Sequence, residues 1–363
     1  MTASAPAAAE DAPVAIAEAP EPKIANETDA WVIRHAAWSE AHEAGFADFI
    51  QALGRSNCAS FDACLESDAN PYRDTDDYGS FQGDCADLPY FLRGYYAWKN
   101  GLPFSYQEEV EQADGASSDA RYSAAGNIVA ARRSAAPGVG DAPVSAPSFL
   151  RDIHGEVSTA MFRIRIDHEP ADPSLFDDFY PIEISREAIR PGVLAYDVFG
   201  HAGIVYDVTE DGRILLMASH PNYAITRTVY GQNFQRADPR LGGGLKAWRP
   251  QTLENATVEA DGSLSGGDVV AATNAALQDY SLEQYFGSAP DEEPDWTDAV
   301  FLWEGDALPY YDYVRRKLAA PGFAYDPIAE IRQSVASICK SVEARARAVD
   351  RAGAEGVPLM EHP

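Results

Sequence analysis

The sequence contains no long apolar run free of charges, so no segment predicts a transmembrane helix. Basic residues are also scarce: 28 Lys and Arg residues stand against 57 Asp and Glu residues, a formal net charge of −29. A surface of this sign repels a phosphate backbone, which excludes nucleic acid as a partner. The 363 residues are 46% hydrophobic and 11% aromatic, which is enough for a substantial core in one large domain, with or without an attached helical part.

Cysteine is rare as well, and the four cysteines are Cys58, Cys64, Cys85 and Cys339. They form no C-x-x-C pair, and the chain has no H-E-x-x-H motif, so a metal site is disfavoured. The run Gly242–Gly244 lacks the helix and the Lys-Ser/Thr pair of a phosphate-binding loop. We therefore expect neither a metal nor a cofactor. Cys58 and Cys64 are close enough for a short-loop disulfide in an oxidising compartment, or they are two free thiols around a helical turn.

The first 27 residues are rich in Ala, Pro and Glu and predict a disordered tail or the remnant of a secretory leader. They have no charged start and no long apolar stretch, but three alanines before Glu10 resemble the end of a signal peptide. We expect a periplasmic or secreted protein. A cytoplasmic protein with a disordered tail is the alternative.

Composition divides the rest of the chain into a main domain at residues 28–250, with a loop insertion near 111–149, and a mostly helical region at 251–363. Hydrophobic periodicity predicts individual elements within these parts. They are a helix starting at Ser39–Glu40, a strand near Asn127–Ala131, a strand with one basic face over Val157–Asp167, a strand at Leu245–Trp248 and a helix over Val269–Tyr285.

Near the C-terminus, apolar residues recur with steps of three and four: Ile328, Ile331, Val335, Ile338 and Val342. This spacing predicts a long helix that ends near Gly353. Two heptads are few for a coiled coil, so we expect the helix to pack on the core, with a homodimer through this C-terminal helix as the alternative.

The most informative stretch runs from Gln82 to Asn100. Apolar residues spaced at i, i+3, i+4 and i+7 predict a buried helix, with Asp84 as its N-cap and Cys85 in its first turn. The N-terminus of a helix favours a thiolate, because free N–H groups and the positive end of the helix dipole meet there. Cys85 is therefore a candidate nucleophile. A buried structural cysteine is the alternative.

A histidine that could serve this cysteine lies in a predicted antiparallel meander over residues 193–220. His201 begins its middle strand, 116 residues after Cys85. A cysteine hydrolase needs such a pair, because the imidazole accepts the thiol proton and later protonates the leaving amine. A third polar residue should orient the imidazole ring.

The register of the hairpin after His201 decides which residue this is. A four-residue loop, with Val208 paired to Arg213, places His220 opposite His201, whereas a two-residue turn places Asn222 there. Pro221 ends the regular strand at residue 220, so His220 is preferred.

The run Gly83-Asp84-Cys85-Ala86-Asp87-Leu88 resembles the D-C-[S/T/A]-x-[F/L] motif of papain-like bacterial hydrolases. NlpC-type cell-wall peptidases, amidase relatives and bacterial transglutaminase-like peptidases share this motif. Pro191-Gly192 before a strand, followed by the run from Gly200 to Val205, is similar to the P-G-D…G-H-V-G-I segment of the NlpC-type group. Over roughly residues 72–250 the resemblance implies an α+β fold with a papain-like core, in which a catalytic helix packs on an antiparallel sheet.

The resemblance also implies an activity, that of a cysteine peptidase or amidase with Cys85 as nucleophile and His201 as base. In the NlpC-type group the third residue is often a histidine on the next strand, which carries over to His220, although local sequence aligns that position with Met217. Gln82 is a candidate oxyanion donor. An exported enzyme of this kind would act on peptides of peptidoglycan. A transglutaminase-like acyltransferase and a non-catalytic papain-like binding or assembly module are the alternatives.

Overall fold

A computed structural model describes residues 28–73, 78–115, 119–167, 170, 172–289, 295–324 and 326–354. The predicted tail or leader at residues 1–27 lies outside them. The fold is a mixed α/β arrangement with antiparallel sheets and several helices. The α-helices are α1 (Glu40–Arg55), α2 (Phe61–Leu65), α3 (Asp87–Lys99), α4 (Ala146–Glu156), α5 (Glu283–Phe286), α6 (Tyr310–Leu318) and α7 (Pro327–Ala354). Within the described ranges, no helix combines the length and apolar content needed to cross a membrane.

A six-stranded antiparallel sheet forms the centre of the molecule, in the order β3-β8-β4-β5-β6-β7. Its strands are β3 (Phe179–Pro181), β4 (Leu194–Asp197), β5 (His201–Val208), β6 (Ile214–Ala218), β7 (Thr226–Val229) and β8 (Gly244–Trp248). The other strands form two-stranded sheets: β1 (Ser105–Gln112) with β2 (Asn127–Ser134), β9 (Gln251–Glu254) with β12 (Asp268–Ala271), β10 (Thr257–Val258) with β11 (Leu264–Ser265), and β13 (Phe301–Trp303) with β14 (Asp306–Leu308).

The central sheet separates two hydrophobic cores, because successive side chains of a strand point to opposite faces. On the α3 face, Ile204 and Met217 pack in the same core as the helix. On the α6 face, Val205 and Leu216 pack with Leu318 of α6. Every residue of α3 is buried, so this helix is enclosed by the rest of the protein.

Helix α3 also contributes a buried charge. Arg93 is only 3% exposed and forms two hydrogen bonds to the Glu43 carboxylate of α1, at 2.8 and 2.6 Å. Its guanidinium lies 3.4 Å from the centre of the Trp38 ring. This paired cation joins α1 to α3, and the pairing offsets the cost of desolvating both groups.

Several predicted elements are confirmed. Helix α1 follows its N-cap Ser39, and α3 ends at its C-cap Asn100. The strand beginning at Asn127 and the strand ending at Trp248 are both present. Cys58 and Cys64 form a disulfide, the first of the two states that the sequence left open.

Two predicted elements are wrong. The expected strand at Val157–Asp167 is a 3₁₀ turn over Thr159–Phe162. The alternation there does not mark a solvated basic face, because Arg163 is itself buried. The expected helix at Val269–Tyr285 begins as strand β12, since consecutive β-branched residues suit the ladder with β9.

Two larger regions also differ from expectation. Residues 111–149, predicted as a loop insertion, hold the end of β1, all of β2 and the start of α4. Residues 251–363, predicted to be mostly helical, begin with the small sheets β9–β12, β10–β11 and β13–β14 before α6 and α7. Strands this short are hard to predict from sequence, because two to four residues are too few to show the alternation of apolar and polar residues that marks a strand.

The Arg93→Ala substitution should destabilise the protein by about 3–5 kcal/mol, because it leaves the Glu43 carboxylate unpaired within the fold. Urea unfolding followed by circular dichroism measures this loss. The matched control is Arg240→Ala, which removes a surface pair with Asp238 and should cost about 0–1 kcal/mol. Equal effects of the two substitutions would contradict the importance of the buried pair.

Candidate active site

The loop that carries Cys85 is fixed by a reciprocal capping arrangement. The Asp84 carboxylate accepts the N–H of Ala86 at 2.8 Å, and the Asp87 carboxylate accepts the N–H of Asp84 at 2.8 Å. The Asp84 carbonyl accepts the N–H of Leu88. Asp84 therefore caps the turn before the helix. Regular α3 begins at Asp87, with Ala86 at its N-cap position, so Cys85 lies in the preceding turn rather than in the first helical turn as predicted.

The Cys85 thiol is buried against the main chain at the start of β5. Cys85 is 7% exposed, and its Sγ lies 3.9 Å from the Gly200 carbonyl oxygen. Gly200 and Ala202 flank His201 in the chain. In the part of the chain that the structure describes, the thiol has no hydrogen bond to the His201 ring.

The electrostatic surroundings keep this thiol neutral at pH 7. The pKa of Cys85 is raised to about 11. Burial is the main cause, the charges of Asp84 and Asp87 also raise the pKa, and the Ala202 N–H acts in the opposite direction. The thiolate expected from the helix N-terminus is therefore not the resting form. Desolvation and two nearby carboxylates outweigh the helix dipole here.

The structure brings His201 and His220 together. Strands β5 and β6 pair Ile204 with Met217 and Val205 with Leu216, and continuing this register places His220 opposite His201. The two rings stack with centroids 5.6 Å apart and an angle of 14° between their planes. At this end of the hairpin, the structure thus has the preferred register, in which His220 rather than Asn222 lies opposite His201.

The turn end of the same hairpin differs from the prediction. Val208 pairs with Ile214 rather than with Arg213, and the ladder shifts between Val205 and Asp207. The shift marks a β-bulge at Tyr206, which restores the register that His201 and His220 follow.

His201 lies on the α6 face of the sheet. Its neighbours along the strand alternate: Ala202 belongs to the core on the α3 face, whereas the His201 ring packs 5.9 Å from Phe234 in the core on the α6 face. Burial lowers the pKa of His201, the charge of His220 lowers it further, and the nearby Asp84 raises it. The imidazole is therefore neutral at pH 7, and its ring points to the face of the sheet opposite the core that contains α3.

The remaining predicted residues have other surroundings. His220 Nε2 pairs with the Thr226 hydroxyl at 2.7 Å. Asn222 is exposed, and its side-chain oxygen accepts the N–H of Ala224 in the turn after β6, away from His201. Gln82 is exposed on the loop before Cys85. Within the described ranges, no three His, Cys, Asp or Glu side chains converge as metal ligands.

Sequence reasoning missed Ser219, which anchors the loop. Its buried hydroxyl donates a 2.6 Å hydrogen bond to the carbonyl of Gly83. The loop that it anchors lies beside the start of β5, where the Cys85 Sγ is 3.9 Å from the Gly200 carbonyl oxygen. A single serine at the end of a strand gives no sequence signal for this role.

His154 is a second residue whose role the sequence did not show. Its ring is partly exposed, its Nδ1 lies 2.9 Å from the Asp87 carboxylate, and the ring contacts Tyr223 edge-on. Asp87 is 2% exposed, and in the described structure its Oδ1 has no hydrogen-bond partner. Burial raises the pKa of Asp87 to about 6, against the lowering effect of His154.

Arg163 supports the turn that receives the thiol. This buried side chain donates hydrogen bonds to the carbonyls of Ser123 and Val198, at 2.7 and 2.9 Å. It also lies beside the Tyr196 hydroxyl and lowers its pKa, although burial is the stronger effect and raises the pKa of Tyr196 to about 12. The predicted strand over residues 157–167 placed Arg163 on a basic face, so the sequence did not indicate that this side chain is buried.

Comparison with known proteins assigns neither a family nor a fold, because no protein family, no curated protein and no solved structure matches the chain.

Asp87 should make stability depend on pH. Its folded pKa of about 6 exceeds the ordinary 3.8, so the folded state binds more protons, and stability should fall by about 2–3 kcal/mol as the pH rises from 4 to 6. Asp87→Asn should remove this component. Urea unfolding at a series of pH values measures it.

His154→Gln is the companion variant, because His154 lowers the pKa of Asp87. Its loss should extend the Asp87-dependent fall to higher pH. Identical pH profiles for wild type and Asp87→Asn would show that Asp87 does not titrate in this range.

Proposed function

We propose that this protein is a cysteine hydrolase that cleaves amide or peptide bonds, with Cys85 as nucleophile and His201 as general base and acid. The observation that carries the proposal is that the Cys85 Sγ lies 3.9 Å from the carbonyl oxygen of Gly200, the residue before His201. His220 stacks on His201 and is the third residue of the site.

The architecture supports a papain-like core. A buried helix has the cysteine at its N-terminal end, it packs on one face of an antiparallel sheet, and the histidine begins a central strand of that sheet. The capping pair Asp84 and Asp87 and the bond from Ser219 to Gly83 fix the nucleophile loop on that strand. Such a site places its nucleophile on rigid elements, as catalysis requires.

The resting protonation states favour general-base catalysis. The proposed mechanism requires a movement at the start of β5 that brings a ring nitrogen of His201 to the thiol. The ring accepts the thiol proton as Sγ attacks the carbonyl carbon, and it then donates that proton to the leaving amine. Water adds to the thioester while the ring removes its proton. Collapse releases the carboxylic acid and returns the proton to Sγ.

The substrate class follows from the resemblance to NlpC-type enzymes, and we propose peptides of peptidoglycan. The Cys58–Cys64 disulfide supports a periplasmic or secreted location, because disulfides persist mainly in oxidising compartments. A transglutaminase-like acyltransferase would use the same Cys85 and His201, with an amine in place of water.

A non-catalytic binding or assembly module is the second candidate. The observation that favours it is that the neutral Cys85 thiol bonds to the Gly200 carbonyl rather than to an imidazole. In such a module, Cys85 would serve as a packed side chain of the loop. The reactivity of the thiol separates the two candidates.

The first test uses a Cys339→Ser background, which leaves Cys85 as the one reduced thiol beside the disulfide. Iodoacetamide should alkylate Cys85 slowly at neutral pH, with a midpoint above the ordinary cysteine value of about 8.5, because burial disfavours the thiolate. A peptidyl vinyl sulfone, which occupies the cleft as a substrate would, should label Cys85 at pH 7. Mass spectrometry measures both reactions.

In the same test, His201→Ala should reduce vinyl sulfone labelling by about 100-fold or more, the usual range for a general base. The matched control is His42→Ala, on helix α1, which should have no effect. If the loss of His201 does not affect labelling, the hydrolase proposal is wrong and the non-catalytic binding module is the remaining candidate.

The second test is the pH dependence of labelling. Because the pKa of His201 is lowered, labelling should persist to pH values below 6.5 before protonation of the ring abolishes it. His220→Gln should move this acid limb upward, since the charge of His220 lowers the pKa of His201. An acid limb that does not move in this variant would exclude His220 as the partner of His201.

A further inference from the structure

Helix α7 has an exposed line of aliphatic side chains, here called the apolar stripe. It consists of Ile328, Ile331, Val335, Ile338, Val342 and Val349, which are 54–64% exposed. Single exposed aliphatic residues are common on protein surfaces, but a contiguous line of them along one helix marks an interaction site.

The spacing of the stripe indicates what covers it. Ile328, Val335, Val342 and Val349 follow one another at intervals of seven, with Ile331 and Ile338 between them. Ile328, Val335, Val342 and Val349 occupy the a positions of successive heptads, and Ile331 and Ile338 occupy the first two d positions. Arg345 stands at the third d position, so six of the seven seam positions are apolar. A seam of this width fits another helix with the same repeat, whereas packing on a globular core or a membrane needs a broader apolar face.

The net charge of α7 is small compared with that of the rest of the chain. The helix has five basic and three acidic residues, a net charge of +2, in a chain whose total is −29. Two copies of the chain repel each other far more strongly over the rest of their surface, so α7 is where a second copy meets the least repulsion. The positions beside the seam include Ser334, Ser341, Ala346 and Ala348, which are small and uncharged and permit close contact.

The first turn of α7 is fixed to the rest of the protein. The Glu330 carboxylate accepts hydrogen bonds from Arg213 at 2.8 Å and from Arg315 at 2.5 Å, and Arg315 also pairs with Asp211. These arginines hold the pKa of Glu330 at about 2, so the anchor persists at neutral pH. Beyond it, the helix extends for roughly 40 Å at 1.5 Å per residue and presents the stripe to solvent.

We propose that α7 is a dimerisation element, whose apolar stripe packs against α7 of a second copy as a two-stranded coiled coil. The same residues meet across the dimer axis, so the interface is closed and self-complementary. This inference does not depend on the proposed hydrolase activity.

The test measures the mass of the full chain by sedimentation equilibrium from 1 to 100 µM. Wild type should approach twice the chain mass of 39.3 kDa. Ile338→Glu, which places a charge in the seam, should be a monomer or dissociate at least 100-fold more readily. The matched control is Ala336→Glu, which also places a charge on the exposed surface of the helix. Because Ala336 lies off the stripe, this variant should dimerise like wild type.

Three results would overturn the proposal: a monomeric wild type throughout this range, an Ile338→Glu variant that still dimerises, or an Ala336→Glu variant that dissociates equally. The wild type is also mixed with vesicles of anionic lipid. Binding to the vesicles by a wild type that is monomeric in solution would identify a membrane surface as the occupant instead.

Discussion

The packing of the Cys85 loop against the ends of β5 and β6 is the constraint on which the site depends. The Ser219 hydroxyl, just beyond β6, bonds to the Gly83 carbonyl, and the Cys85 Sγ lies 3.9 Å from the carbonyl oxygen of Gly200, just before β5. These two contacts determine where the loop before α3 lies and which backbone atom meets the thiol. At the same end of the hairpin, the His201 and His220 rings stack on each other.

The burial that fixes this loop also sets its chemistry. Desolvation raises the pKa of the Cys85 thiol and lowers that of the His201 imidazole, so both groups are neutral in the resting protein. A preformed thiolate–imidazolium pair would need to overcome both effects. In the proposed mechanism, a neutral pair transfers its proton only when a substrate is present, and a movement that brings the His201 ring to the thiol must come first.

The parts that sequence predicted are those with a strong local signal. Apolar periodicity with Ser39 or Asp84 as cap located α1 and α3, and Pro221 selected the register that stacks His220 on His201. The contacts it missed are long-range ones. Neither the pairing of His154 with Asp87 nor the bond from Ser219 to Gly83 leaves a trace in local pattern, because each joins segments more than 60 residues apart.

The hairpin β5–β6 connects the two proposals. Its turn carries Asp211 and Arg213, which take part in the anchor of α7, whereas His201 begins β5 at the opposite end. The eight residues of β5 separate these ends by roughly 25 Å at strand rise. A coiled coil that starts at the turn therefore begins at the end of the hairpin remote from the Cys85 loop. Dimerisation and catalysis would use different ends of one rigid element, so neither excludes the other.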